Sequence, residues 1–190
     1  MVTKTLGVGV LLVVGLVSGP AAADSIDSTE DVKEAQETIA VFKKVDPGLA
    51  RFFEGAAGYA VFPTIKKGAV GVGGAAGSGV VFEKGNAIGK TSVTQATIGL
   101  QLGGQTYSEI IFFETVPAFN DFRKEPLALA AQASAVAASV GTSANAKYQN
   151  GVAIFTLAKG GLMGEASVGG QKFGFEPFTK KWRPVGTQDR

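Results

Sequence analysis

The chain has 190 residues, with 18 basic and 16 acidic side chains, 27 glycines, and neither cysteine nor histidine. Without those two residue types there are no disulfides or thiolates, the usual acyl-transfer triads lack their base, and a zinc site would rest on carboxylates alone. This sets aside conventional hydrolases and metalloenzymes, and a net charge of only +2 exerts no long-range pull on nucleic acid or membrane, so any such attraction must come from local patches.

Lys4, the apolar run from Leu6 to Val17 and Ala21-Ala22-Ala23 have the layout of a secretory signal: a positive start, an apolar core and an A-x-A cleavage site. The apolar run is too short for a bilayer span, which takes about 20 residues. The expectation is a signal peptide over 1–23, one domain over 24–176 and a basic-aromatic tail over 177–190. The mature protein would be exported and periplasmic or envelope-associated. With no cysteine to acylate, it would not be a lipoprotein.

Asp27 to Val45 reads as a helix. Ser28 with Asp31 three residues on is a capping-box variant, and Val32, Ala35, Ile39 and Phe42 form one apolar stripe. Lys43 and Lys44 sit where the helix dipole favours cations. Asp46-Pro47 predicts a cap and a first-turn proline for a second short helix through Phe53. Strands follow at Tyr59 to Phe62, from Ala69 on to Glu83, at Ile88 to Leu102 (long or broken) and at Thr106 to Phe113. Between them, Lys66-Lys67-Gly68 and Lys84-Gly85-Asn86 read as turns, and Gly103-Gly104 as a bulge or turn. Thr115 to Lys124 reads as a short helix. Leu127 to Ala138 fits a helix by its alanines and a strand by its alternation. A polar loop over Thr142 to Asn150 leads to strands at Gly151 to Leu157, Leu162 to Val168 and Lys172 to Phe175. The fold class is α+β: a single compact domain, mostly antiparallel β, with two N-terminal helices and one short helix near 115–124.

The stretch from Gly58 to Phe113 carries the strongest period of two. From Ala69 to Gly79 every odd position is alanine or glycine, including Gly71, Gly73, Gly77 and Gly79. One face of that strand is almost bare, which suits close approach of a backbone, a helix or an apolar group such as an acyl chain. Gln101, Gln105 and Glu109 are polar within an otherwise apolar sheet. No partner acid for Glu109 is evident by spacing, so its expected role is structural, hydrogen-bonded to nearby amides, with Gln101, Gly103 and Gly104 as parts of the same sheet motif.

The wording GYAVFPTIKKGAVGVGGAAGSGVVF, followed by TSVTQATIGLQLGGQTYSEIIFF, resembles the core of the SYLF domain family. The resemblance spans Val32 to Phe173 and is strongest from Gly58 to Phe122. It implies a lipid-binding module, with phosphoinositide binding and, in some eukaryotic members, actin binding. It implies a strand for Leu127 to Ala138. It also implies headgroup contact through basic residues of the N-terminal region, which here are Lys43, Lys44, Arg51, Lys66 and Lys67, with Phe52 and Phe53 among them. Independently of the resemblance, Phe178-Thr-Lys180-Lys181-Trp182-Arg183 mixes aromatics and cations in the manner of a membrane interface.

A phosphate loop is rejected. Gly85 to Thr91 has one residue too few for G-x-x-x-x-G-K-T, and Ser92-Val-Thr-Gln that follows is strand-like, whereas such a loop opens a helix. The reading is a non-catalytic protein without cofactor, metal, nucleotide or nucleic acid, whose partner is an anionic lipid or membrane surface. The alternatives are a structural or protein-interaction module of the cell envelope, with an envelope protein as partner, and a small outer-membrane β-barrel. A barrel would need tilted strands of about 9–11 residues and aromatic girdles; the N-terminal helices, expected short strands and polar C-terminus argue against it.

Overall fold

The computed structural model describes residues 24–124, 128–129, 135–137, 141–160 and 171–179. The expected signal peptide, the strand expected over Leu162 to Val168 and the tail from Lys180 lie outside them. Helix α1 (Asp24–Val45) is followed by a 3-10 turn (Pro47–Leu49) and helix α2 (Ala50–Gly55). Two long strands, β1 (Gly58–Glu83) and β2 (Asn86–Phe113), form one hairpin, and helix α3 (Val116–Lys124) comes next. Short strands β3 (Ala128–Leu129) and β4 (Ala135–Ala137), a 3-10 turn (Thr142–Asn145), β5 (Val152–Gly160) and β6 (Gln171–Pro177) complete the order. The class is α+β, as expected. Leu127 to Ala138 contributes β3 and β4 rather than one strand, and residues 130–134 between them are not among the described ones.

The hairpin turns at Lys84-Gly85, where both φ angles are positive (49° and 79°). This two-residue connection matches the right-handed twist of the strands, and glycine takes its second position without strain. The other two expected interruptions are absent. Lys66, Lys67, Gly68 and Ala69 pair with Thr106, Gln105, Gly104 and Gly103, so Lys66-Lys67-Gly68 and Gly103-Gly104 run through as strand. A lysine pair and a glycine have the composition of a turn, but each finds a ladder partner here, and glycine permits a turn without requiring one. The irregularities of register fall at Phe62/Ile65, Val70/Val72 and Val81/Phe82. The first contains Pro63, which cannot donate to a ladder. It also shifts the phase of the strand: Ala60 and Phe62 share a core layer with Ile65, Ala75 and Val81, so that layer moves from even to odd positions.

After that bulge β1 bends back across itself. A Cβ on Gly77 would lie 2.8 Å from the Thr64 carbonyl oxygen, and one on Gly79 would lie 2.3 Å from that of Val61. The bare face of the strand is therefore filled, at these two positions, by the strand's own first half. On the far side of β2 from β1, the residues from Gly89 to Gln95 pair with β6 and those from Thr106 to Phe113 pair with β5, both antiparallel. Strand β3 extends the sheet beyond β6, and β4 lies parallel to β5. The sheet is open, with β3 and β4 at the ends of the order β3-β6-β2-β5-β4. Strands β1 and β2 are 26 and 28 residues long, so strand length does not argue against a barrel; among the described residues it is the open sheet that does.

Both faces of the sheet are covered, which is why Ile110-Ile111-Phe112-Phe113 is continuously apolar and fully buried. One face packs Val61, Val80, Ile110, Phe112 and Phe155 against Val32, Ala35 and Phe42 of α1, Leu49, and Phe52 of α2. The other packs Phe62, Val93, Ile111, Phe113, Ile154 and Phe173 against Phe119 and Phe122 of α3. Helix α1 begins before Ser28, so the expected capping box lies inside the helix.

Candidate functional site

Cations and aromatic rings converge where α1 ends. Lys43 and Lys44 occupy its last turn and are exposed, and the Lys43 Nζ lies 4.5 Å from the centroid of the Phe53 ring, a cation–π contact. Phe53 is half-buried, edge-on to Tyr59 and Phe112. Phe52, also expected at an interface, is 3 % exposed and packs on Phe112, Phe155 and Tyr148. Adjacent residues of a short helix diverge, and here it is Phe52 that enters the core.

Asp46 fixes this corner. Its Oδ1 accepts from the Gly48 amide (3.1 Å), capping the turn that Pro47 opens, and its Oδ2 accepts from the Ser143 amide (2.7 Å). Burial alone would raise its carboxyl pKa, but hydrogen bonds from Ser143, Gly48 and Gly141 hold it below the ordinary value. Arg51 donates from one guanidinium nitrogen to the carbonyl oxygens of Ser143 and, at 2.9 Å, of Ala146, and lies 4.8 Å over the Phe52 ring. It ties α2 to the loop at 142–146, so part of its donor capacity serves the fold. Lys147, which follows Ala146, is exposed. Tyr148 is half-buried beside Phe52, and its phenol is pushed up to about 12 by burial and the charge of Glu114, with Arg51 opposing.

Lys66 and Lys67 are not part of this corner. They stand in mid-β1 as consecutive residues and so point to opposite faces, Lys66 exposed and Lys67 half-buried. Lys66 lines a cleft of about 310 Å³ with Asp31, Glu34, Thr64, Ser78 and Gly79. On the other side of Asp31, which pairs with Lys90 at 2.9 Å, lies a second cleft along Ser92, Gly174 and Phe175. Gly71 and Gly73 lie in β1 beyond these clefts, and Gln101, Gly103 and Gly104 in β2. Phe178 is half-buried against the core layer of α1, its amide donating to the Ile88 carbonyl at 3.0 Å. Lys180, Lys181, Trp182 and Arg183 lie outside the described residues.

Glu109 is completely buried. Gln171 donates its Nε2 to both carboxylate oxygens, at 3.2 and 3.4 Å. Among the described residues no group of three or more acidic side chains could hold a metal, and no helix is long and apolar enough to cross a membrane.

The sequence alone did not single out the tie from Asp46 to Ser143 or the link from Gln171 to Glu109. The partners are 97 and 62 residues apart, and only the topology brings them together.

Residues 94–176, from β2 to the end of β6, match the family model described as "Ysc84: Las17-binding protein actin regulator". Over 167 residues, 80% of this chain, the sequence is 27% identical to Beta cell expansion factor A of Aeromonas veronii. The match spans 63% of that relative's length. With the wording of the β1–β2 hairpin and the α+β fold, these matches bear out the resemblance: residues 94–176 match the Ysc84, or SYLF, domain family.

Proposed function

We propose that the protein is a non-catalytic module that binds anionic lipid surfaces through the corner at the end of α1. The observation that carries this reading is the exposed pair Lys43 and Lys44, with the Lys43 Nζ over the Phe53 ring. Cations meet phosphates, while an aromatic edge suits the boundary between headgroup and acyl chain. Each cation near an anionic surface contributes about 1 kcal/mol, so three or four acting together give useful affinity. The lack of histidine and cysteine supports the non-catalytic part. Export and an envelope location, suggested by the segment before Asp24, belong to the same proposal.

The expected result for Lys43→Ala/Lys44→Ala is binding to phosphatidylglycerol vesicles about 30-fold weaker than wild type, the loss of two such contributions. Lys66→Ala is expected to leave that affinity within twofold. Co-sedimentation of the three proteins measures both, and an unchanged affinity in the double variant would remove the corner from the account. A protein-interaction module is the second reading, favoured by the family description, which speaks of Las17 binding and actin regulation.

A further inference from the structure

Helix α1 covers only part of the sheet face on which it lies. Where β1, β2 and β6 run side by side, even-numbered residues stand in rows across the strands: Val80–Lys90–Glu176, Ser78–Ser92–Gly174 and Ala76–Thr94–Lys172. The first row meets α1, with Val80 buried in its core layer and Lys90 paired to Asp31 at 2.9 Å. In the other two rows Ser78, Ala76, Ser92, Thr94 and Lys172 are exposed. The opposite side of the same strands carries Ala75, Val93 and Phe173, which are buried.

Two clefts open on this face and meet at Asp31, Ser78 and Gly79. The first, of about 310 Å³, runs towards Lys66 and Glu34. The second, of about 520 Å³, runs over Ser92 and Gly174 to Glu176. Both volumes fall in the range of small-ligand sites, about 300–1,000 Å³. Together the clefts form a trough beside α1 that crosses β1, β2 and β6, about 10 Å from the first strand to the last. Its floor is the row Ser78–Ser92–Gly174, so nothing larger than serine rises from it. Its charged groups are Asp31, Glu34 and Glu176 against Lys66 and Lys90.

This lining discriminates among ligand classes. Acids that outnumber the lysines leave no excess of positive charge for nucleic acid or another polyanion, and Lys172 in the next row brings the two signs only to balance. Hydroxyls and a glycine give no apolar floor for an acyl chain or a hydrophobic side chain. The trough crosses the strands, and β2 is already paired on both sides here, so an extended peptide finds no open ladder to join. What the trough does supply is carboxylates that accept, ammonium groups that donate and serine hydroxyls that do both. We propose that it binds a neutral carbohydrate chain, whose dense hydroxyls also donate and accept, laid across Ser78, Ser92 and Gly174. The site is separate from the corner proposed for lipid, since Asp31 and Lys44 stand about 20 Å apart along α1.

The test is titration of the isotopically labelled full chain with chitotetraose, maltotetraose and cellotetraose, and with tetragalacturonic acid as the acidic counterpart, followed by amide chemical shifts. At least one neutral sugar is expected to move the amides of Asp31, Ser78, Ser92 and Gly174 while those of Lys43 and Lys44 stay in place. Ser78→Leu/Ser92→Leu fills the floor at exposed positions and should weaken binding at least about tenfold. Gly174→Ala is the milder variant. Its Cβ would lie 2.8 Å from the Ser92 Oγ, so only a side-chain end has to turn, and the raised floor should weaken binding about threefold. Lys43→Ala/Lys44→Ala should keep the full sugar affinity. No shift with any neutral sugar, shifts that map elsewhere, or affinity that survives both floor variants would overturn the proposal. So would a preference for tetragalacturonic acid that fades with salt. Shifts at these residues from a serine–glycine peptide but from no sugar would assign the trough to polypeptide and overturn it as well.

Discussion

Gly79→Ala is expected to destabilise the protein by about 3 kcal/mol or more, a large fraction of what holds an ordinary domain together. The new Cβ would stand 2.3 Å from the Val61 carbonyl oxygen, 2.9 Å from the Phe62 ring and 3.0 Å from the Val61 carbonyl carbon. Two of these three atoms are backbone, so relief requires the crossing halves of β1 to separate. Val61 and Phe62 are fully buried on opposite core faces, so separation would disturb both layers. Gly104→Ala is the control. Its nearest neighbour would be the Lys67 carbonyl oxygen at 3.7 Å, an ordinary contact, and a neutral or slightly favourable effect is expected there because alanine restricts the unfolded chain. Urea unfolding of the two variants checks the contrast. A Gly79→Ala protein within 0.5 kcal/mol of wild type would contradict the close crossing.

That pair of glycines also shows what could be read in advance. The run of small odd positions announced a bare face, because side-chain alternation is local. What comes to the face was not legible, because it depends on the bulge at Pro63 and the bend that follows. The stripe of α1 and the Asp46-Pro47 cap were legible for the same local reason. Lys66-Lys67-Gly68 was misread as a turn because a turn's composition says nothing of a partner strand entering 36 to 40 residues later, at Gly104 to Thr106. At the candidate site, Lys43, Lys44 and Phe53 could be named through the family resemblance, which points to basic residues of the N-terminal region. Phe52 could not be separated from Phe53, since only the tertiary packing decides which ring goes inside. Glu109 was recognisable as an oddity in an apolar strand, but its partner Gln171 was not.

Asp46→Ala is expected to lower stability by about 3 kcal/mol, combining the loss of an N-cap with a buried Ser143 amide left without its acceptor. For a domain of this size the midpoint of thermal unfolding should fall by roughly 6–12 °C. Calorimetry at pH 7 measures it, and a fall of under 2 °C would contradict the assigned role. The pH dependence has a definite sign. Because the folded pKa of Asp46 is lowered, its contribution is present above the ordinary carboxylate value and is lost as pH falls through the folded one. The gap between wild type and Asp46→Ala should therefore narrow in acid, below about pH 4. This is opposite in sense to the effect of Glu109, whose pKa burial raises to about 7 and which therefore favours the folded state in acid, so the two carboxyls together should give a stability maximum on the acid side of neutrality. The same substitution would remove one of the two ties of the 142–146 loop and leave the other, through Arg51.

The measurement that bears most directly on the proposed function is co-sedimentation of the wild-type chain with vesicles, pure phosphatidylcholine against mixtures of increasing phosphatidylglycerol content, at low and at high salt. The account predicts no retention on the neutral vesicles, affinity that climbs steeply with the anionic fraction, and its loss at high salt as the surface charge is screened. Equal retention on both kinds of vesicle, or none on either, would contradict it.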